Sequence, residues 1–282
     1  MELKLFKNEF TSSLSKIYDS AEAEQLFYIA LEEILDWKRI DFVMKTPFEL
    51  PIEKASRFEN VLADLISEKP IQYIFNKAYF YGVDFYVNEN TLIPRQETEE
   101  LVEWILNTIA KKPTKIWRIL DIGTGSGCIP ITIAKMAKNV NVSTMDISVK
   151  AIEVAKQNAL ANNVAIHFIH QSILETDFLE NYDLIVSNPP YVRNLEKIEI
   201  KNNVLVHEPH LALFVEDDDP LIFYKKIVAL AENSLTENGY LFFEINQYLG
   251  KETLELFNEH FTNVELRKDF VGNDRMICGI KK

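Results

Sequence analysis

The sequence predicts an α/β fold: a mostly parallel sheet preceded by a small helical region. Three observations carry that expectation. From residue 116 onward, strand-like and helix-like segments alternate in the order βαβαβ, which implies parallel strands covered on both faces. A glycine-rich turn, "DIGTGSG" (121–127), leaves the first of those strands and opens the first helix. Residues 1–70 show helical spacing and no such alternation. With 282 residues and 47% hydrophobic content, the chain can bury one large core or two smaller ones.

The elements follow in order. "EAEQLFYIALEEIL" (22–35) and "PIEKASRFENVLADLISEK" (51–69) read as helices, the second opening at Pro51 and carrying Ala55, Phe58, Val61, Leu62 and Leu65 on one face. "KTP" (45–47) separates them. Aromatic residues then alternate around Gly82 and Asp84 in "AYFYGVDFYVNENTLI" (78–93), which predicts a β-hairpin. "PRQETEELVEWILNTIA" (94–110) predicts a helix with Glu97, Glu99 and Glu100 near its positive end. Strands are expected at 117–123, 142–147, 165–170, 183–187 and 240–245. Helices are expected at 126–138, 148–161 and 218–234. The tail predicts a helix over 247–260 and two strands, "NVELRKDF" and "RMICGIKK".

Charge narrows the function. The net charge of −13 is the reverse of a duplex nucleic-acid footprint. Residues 1–80 carry 10 Lys/Arg against 14 Asp/Glu, so the helical region shares the acidity. Two cysteines without a CxxC partner, Cys128 and Cys278, exclude a disulfide framework and argue against a metal site. Cys128 is expected to be a small buried residue. The start "MELKLFKNEF" lacks a signal-peptide pattern, and no apolar run reaches the ~18 residues of a membrane span. A cytoplasmic, soluble protein without membrane contact is expected.

The glycine turn is the first candidate site. Gly123, Gly125 and Gly127 let the backbone turn sharply and approach a ligand closely. Asp146 ends the second strand about 20 residues later, where an acid can accept ribose hydroxyls. The spacing is G-x-G-x-G rather than the G-x-G-x-x-G of dinucleotide sites. It fits a nucleoside ligand without a pyrophosphate, such as S-adenosyl-L-methionine.

The second candidate is "VSNPPYV" (186–192), where a buried strand stops at Asn-Pro-Pro-Tyr. Asn188 lies at the strand's C-terminal end, the edge on which open α/β sheets bind ligands. Its side-chain carbonyl and the Pro189 carbonyl offer two acceptors, and neither proline donates a backbone hydrogen bond. Such a pair suits a planar –NH2 group, with one acceptor per hydrogen. Tyr191 is expected to lie against that group and exclude water.

Other candidates have bland readings beside them. Arg95 could fork onto a cofactor carboxylate or pair on the surface with Glu97 or Glu99. His167, His170, His207, His210 and His260 stand beside no nucleophile motif, so a general-base role is not expected. "EDDD" (216–219) reads as a solvated helix start rather than a metal site.

These motifs together resemble the release factor glutamine methyltransferase family. The matching segments, in family order, are "IPRQETEELV" (93–102), "DIGTGSGCI" (121–129), Asp146, "VSNPPYV" (186–192), "EPHLAL" (208–213) and "GNDRM" (272–276). Asn-Pro-Pro-Tyr alone is shared with adenine-N6 DNA methyltransferases; "IPRQETE" and "EPHLAL" are more restrictive. The resemblance implies a Rossmann-like class I methyltransferase with a seven-stranded, mostly parallel sheet. A five-helix N-terminal domain for substrate recognition would cover 1–75, a hairpin linker 76–93 and the methyltransferase domain 94–282. It implies methyl transfer from S-adenosyl-L-methionine to the glutamine of the Gly-Gly-Gln loop in peptide-chain release factors. A ribosomal-protein glutamine is the alternative substrate; DNA adenine is disfavoured by charge, and a non-catalytic binder by the intact Asn-Pro-Pro-Tyr. Asn188, Pro189 and Tyr191 are the expected catalytic residues, and with Pro190 they form the substrate site. The expected cofactor site is Asp121, Gly123, Thr124, Gly125, Ser126, Gly127, Asp146, Leu174, Asn188 and Arg95. After the third strand the chain reads "QSIL" (171–174) where the family carries an acid and an aromatic residue; Ile173 and Leu174 are placed to pack on an adenine. Asn246 stands where the family usually has a glycine, and Pro220 lies near the place of another.

Overall fold

A computed structural model describes residues 1–257 and 259–282. The chain forms two compact units: residues 1–76 with 201–207, and residues 77–200 with 208–282. Among the described residues no helix is long and apolar enough to cross a membrane.

The smaller unit is helical, with α1 (Leu3–Leu14), α2 (Ser20–Leu35), α3 (Arg39–Lys45), α4 (Ile52–Ile66) and α5 (Ile71–Ile74). α2 starts where it does because Asp19 caps it, accepting from the N–H groups of Ala21 and Glu22 at 2.9 and 2.8 Å. α1 buries Leu3, Phe6, Phe10 and Leu14, one apolar residue per turn. Phe27 of α2 stacks on Phe58 of α4 with ring centroids 6.0 Å apart. Each fully buried Phe contributes about 1.5–3 kcal/mol through the water it sheds, and Phe10, Phe27 and Phe58 are all completely buried.

The larger unit begins with a hairpin of β1 (Ala78–Phe80) and β2 (Val83–Phe85). It is shorter than the sequence predicts, and it is part of this unit rather than a separate linker. Asn158 explains its placement. That buried amide accepts from Tyr86 N–H at 2.7 Å, donates to the Tyr86 carbonyl at 2.9 Å, and donates to the Ser126 carbonyl at 2.8 Å. The hairpin exit is thereby tied to the glycine turn.

Then follow α6 (Gln96–Ala110), β3 (Trp117–Ile122), α7 (Cys128–Met136), β4 (Val140–Asp146), α8 (Val149–Ala161), β5 (His167–His170) and β6 (Tyr182–Ser187). A short excursion holds β7 (Val192–Arg193), α9 (Asn202–His207), α10 (His210–Leu213) and β8 (Phe214–Val215). α11 (Ile222–Ser234), β9 (Leu235–Glu244), α12 (Gly250–Glu255), β10 (Phe261–Lys268) and β11 (Asp274–Lys281) complete the chain. The helix expected over 247–260 is confined to Gly250–Glu255, and position 258 lies outside the described residues. The excursion's α9 packs with the helical unit, a division the sequence did not suggest.

The sheet has seven strands in the order β10-β11-β9-β6-β3-β4-β5. β3 pairs in parallel with β4 and β6, β4 with β5, and β6 with β9. β11 runs antiparallel to both neighbours. β6 is buried at every residue, as a central strand covered on both faces must be. The strand order reverses direction between β3 and β6, and there the C-terminal strand ends leave a crevice.

Candidate active site

A cavity of about 250 Å³ opens at that crevice. Its floor is the turn after β3. Gly123, Gly125 and Gly127 all have positive φ, at 86°, 53° and 82°, which side chains with a Cβ rarely adopt. A Cβ at Gly125 would stand in open space, so its side of the turn is bare backbone facing the cavity. The Gly125 N–H donates to Asp146 Oδ2 at 3.0 Å, and the Ser148 N–H donates to Oδ1 at 2.8 Å. These bonds pin the turn to the end of β4. Burial pushes the Asp146 carboxyl up from its usual range, against the pull of those backbone donors.

Asp121 lies behind the turn, fully buried. Thr144 Oγ1 donates to its Oδ2 at 2.6 Å, while Oδ1 makes no hydrogen bond of good geometry among the described residues. Burial pushes its carboxyl up to about 7. Thr124 Oγ1 and Ser126 Oγ are likewise buried without a well-formed bond, Thr124 lying beside Asp121 and Ser126 beside Cys128.

One wall comes from the end of β6. Ser187 donates to the Ile122 carbonyl at 2.7 Å, locking β6 to β3 where both strands stop. Asn188, Pro189 and Pro190 then line the cavity. Asn188 Nδ2 donates to Thr98 Oγ1 at 3.4 Å, and Thr98 Oγ1 donates to Glu244 Oε2 at 2.6 Å. The Tyr191 hydroxyl donates to the other oxygen, Glu244 Oε1, at 3.0 Å. Glu244 is 1% exposed; burial raises its pKa, opposed by these donors and by Arg275.

A second wall joins two distant motifs. Glu208, also buried, accepts from the Ile93 N–H at 3.1 Å and from Arg95 Nη2 at 2.6 Å. The far side is Gln171–Leu174 with Ile147, Phe223 and Ile227. Ile173 is buried and Leu174 is 37% exposed, so an apolar ledge meets solvent there.

Of the expected residues, Gly123, Thr124, Gly125, Ser126, Asp146, Leu174, Asn188, Pro189, Pro190 and Arg95 border one cavity. Three do not. Asp121 sits beneath the turn. Gly127 faces the helices: a Cβ there would stand 2.7 Å from Ile131 Cδ1 and 3.1 Å from Ala155 Cβ. Tyr191 does not flank the cavity as expected, because its hydroxyl is anchored inward on Glu244 and its ring packs on the apolar layer over that sheet face. Arg95 pairs with Glu208, not with Glu97 or Glu99. Cys128 is half-buried and lines the cavity, with burial pushing its thiol up to about 12, so it stays protonated. Asn246 has a bracing role: its Nδ2 donates to the Tyr191 carbonyl at 2.8 Å and to Glu196 Oε2 at 2.9 Å. Thr98, Glu208 and Glu244 were not expected at the site, although Thr98 lies in "IPRQETEELV" and Glu208 in "EPHLAL".

The donors and acceptors fit S-adenosylmethionine. A carboxylate at a strand end suits ribose hydroxyls, bare glycine backbone admits close approach, and an apolar ledge suits an adenine. Asp121 Oδ1 beneath the turn and the Thr124 and Ser126 hydroxyls on it are buried polar atoms without a well-formed hydrogen bond among the described residues, a setting that suits a charged group.

A glycine turn, an acid ending β4 and an Asn-Pro-Pro-Tyr ending β6, gathered on one edge of a seven-stranded sheet, define an S-adenosylmethionine-dependent methyltransferase with a Rossmann-like fold. Two family models match, "Methyltransferase small domain" over residues 96–216 and "PrmC N-terminal domain" over residues 7–75. The chain is 53% identical to a release factor glutamine methyltransferase from Flavobacterium psychrophilum, covering 98% of each chain. It is 39% identical to one from Bacteroides thetaiotaomicron, covering 94% of this chain and 95% of that one. A crystal structure of a methyltransferase from Pyrococcus furiosus shares the fold, with a TM-score of 0.50 at 18% identity over 79% of this chain and 98% of that one. The chain belongs to the release factor glutamine methyltransferase family.

Proposed function

We propose that this enzyme methylates the side-chain amide nitrogen of the glutamine in the Gly-Gly-Gln loop of peptide-chain release factors, in the cytoplasm. The observation that carries the reading is the position of Asn188 and Pro189, each bearing a carbonyl acceptor, on the lining of a cavity whose donor set fits S-adenosylmethionine. Bound S-adenosylmethionine supplies an electrophilic sulfonium methyl. The chain's own residues do the rest.

An amide nitrogen is a poor nucleophile, because its lone pair is delocalised into the carbonyl. Asn188 Oδ1 and the Pro189 carbonyl accept its two hydrogens and hold it in one orientation, which replaces a search over geometries with one fixed approach. The same acceptors stabilise the positive charge that grows on nitrogen. No base is needed before attack: as the N–C bond forms and the sulfonium S–C bond breaks, S-adenosylhomocysteine is the leaving group, the N–H groups become acidic, and one proton is lost to solvent. Pro189 and Pro190 keep the backbone stiff and offer no competing donor. Arg95, held by Glu208, keeps further N–H groups for a carboxylate.

Asp146 serves the ribose. Asp146→Ala is expected to raise the dissociation constant for S-adenosylhomocysteine about ten- to a hundredfold, the worth of a hydrogen bond to a charged acceptor. kcat at saturating cofactor should change little, because the contact is equal in ground and transition states. Calorimetric titration checks this; an unaltered affinity removes Asp146 from the site.

Residues 1–75 are assigned to protein-substrate recognition. They hold none of the catalytic motifs, and their acidic surface suits a partner with a basic patch. kcat/KM on an intact release factor should exceed that on a Gly-Gly-Gln peptide by at least about tenfold, some 1.4 kcal/mol of orientation. Removing residues 1–75 should erase the difference. Equal efficiency on both substrates for the whole chain overturns the assignment. Transfer of labelled methyl to purified release factor, ribosomal proteins and DNA tests the activity itself, and preference for either of the last two rejects the release factor reading.

A further inference from the structure

We infer that the buried carboxylate of Glu244, acting through Thr98, sets which way the Asn188 amide faces, making Thr98 and Glu244 positioning residues for methyl transfer. The inference rests on the reading that Asn188 holds the substrate nitrogen.

Hydrogen-bond polarity decides the orientation. A threonine hydroxyl has a single proton. Thr98 commits it to Glu244 Oε2 at 2.6 Å, a charge-assisted contact. Its oxygen then faces Asn188 with lone pairs only. The Asn188 atom beside it, 3.4 Å away, must therefore be the –NH2 group, since a carbonyl oxygen there would meet another acceptor. Oδ1 is left on the other side of the amide, and it makes no hydrogen bond to the described residues. A freely rotating asparagine would present its NH2 to an incoming amide NH2 part of the time, and donor would meet donor. The relay from Glu244 removes that wrong orientation before substrate arrives.

The same carboxylate takes the Tyr191 hydroxyl on Oε1 at 3.0 Å. One buried group thus fixes both ends of Asn188–Tyr191. The groups around Glu244 bear on this role. Burial and Glu97 work against the charged form of Glu244, while the Thr98 and Tyr191 hydroxyls and Arg275 favour it, and the Tyr224 hydroxyl holds the Glu244 backbone carbonyl at 3.1 Å. Thr98 sits in the first turn of α6 and Glu244 at the last residue of β9, two rigid elements.

The test compares Thr98→Val, which keeps the shape and loses the relay, with Thr98→Ser, which restores the hydroxyl. Thr98→Val is expected to lower kcat at least tenfold, with the dissociation constant for S-adenosylhomocysteine changed less than threefold. Thr98→Ser should keep at least a third of parental kcat. In an Asn188→Ala background, Thr98→Val should cost less than a further twofold, because there is no amide left to orient. A Thr98→Val enzyme with more than half the parental kcat overturns the inference. So does a Thr98→Ser enzyme that binds S-adenosylhomocysteine normally yet loses more than tenfold, and so does a full additive loss in the Asn188→Ala background. Failure of the underlying reading looks different: Asn188→Ala itself stays active, or no glutamine is methylated.

Discussion

Asn188→Ala should lower kcat by a factor of roughly a hundred to a thousand while the protein keeps its fold and its cofactor affinity. The expected loss follows from removing one preorganised group aimed at developing charge, which in comparable sites is worth about 3–4 kcal/mol. Stability should hold, because Asn188 is half-buried beyond the end of β6 and among the described residues its side chain makes one long hydrogen bond, to Thr98. The strand beneath it is fixed independently by Ser187 and the parallel ladder to β3. Single-turnover methyl transfer, with S-adenosylhomocysteine titration on the same sample, separates chemistry from binding. A variant retaining more than about a tenth of parental turnover, the amount 1.4 kcal/mol allows, has shown that the amide does not carry the nitrogen.

The other large effect concerns Asp121, and it appears in stability rather than turnover. Burial raises this carboxyl from 3.8 to about 7 in the folded chain. Between those two values the folded protein binds more protons at this residue than the unfolded one, so stability falls as pH rises. The loss is complete above pH 7, and its upper bound is roughly 4 kcal/mol. Asp121→Asn has no such loss. Its Oδ1 can still accept from Thr144, and its amide fills the same space. Urea unfolding at pH 4 and pH 8 should show the variant gaining on the parent by up to that amount as pH rises, with carboxylates other than its electrostatic neighbour Asp146 titrating alike in both. A difference that is flat between the two pH values sinks the prediction. The parent would then be accommodating the charge at no expense, despite the complete burial of Asp121.

The parts of the site that were readable in the sequence are those written contiguously. "DIGTGSG" and "NPPYV" each bring several residues to the cavity within one turn, although Asp121, Gly127 and Tyr191 of the same stretches do not border it. Asp146 could be anticipated because a βαβ unit has a nearly fixed length. The pairs that hold the site together could not. Arg95 meets Glu208 across 113 residues of sequence and Thr98 meets Glu244 across 146, so only the strand order brings them together. Tyr191 shows the same limit in another form. Its type and position suggested a ring over the substrate, but a buried acceptor on a strand 53 residues away had the stronger claim on its hydroxyl. In the fold, the alternation of strands and helices was plain, while the assignment of 201–207 to the helical unit was invisible, since six residues of helix carry no address.

That small return segment changes the order in which the protein can be finished. Glu68, just past the end of α4, has left-handed backbone geometry. Beside it the Ser67 carbonyl faces His207 Nε2 at 3.2 Å, and the Glu68 carboxylate takes a hydrogen bond from Asn202 Nδ2. Lys201 adds an ion pair with Glu22 at 3.7 Å. A ribosome delivers the five N-terminal helices first, yet these partners do not exist until residue 207 has been made. Early domains ordinarily close as units while synthesis continues. Here the first to emerge stays open at one end until the sheet's central strands, β3, β4 and β6, have followed it out. Its completion thus becomes a late event in the birth of the chain.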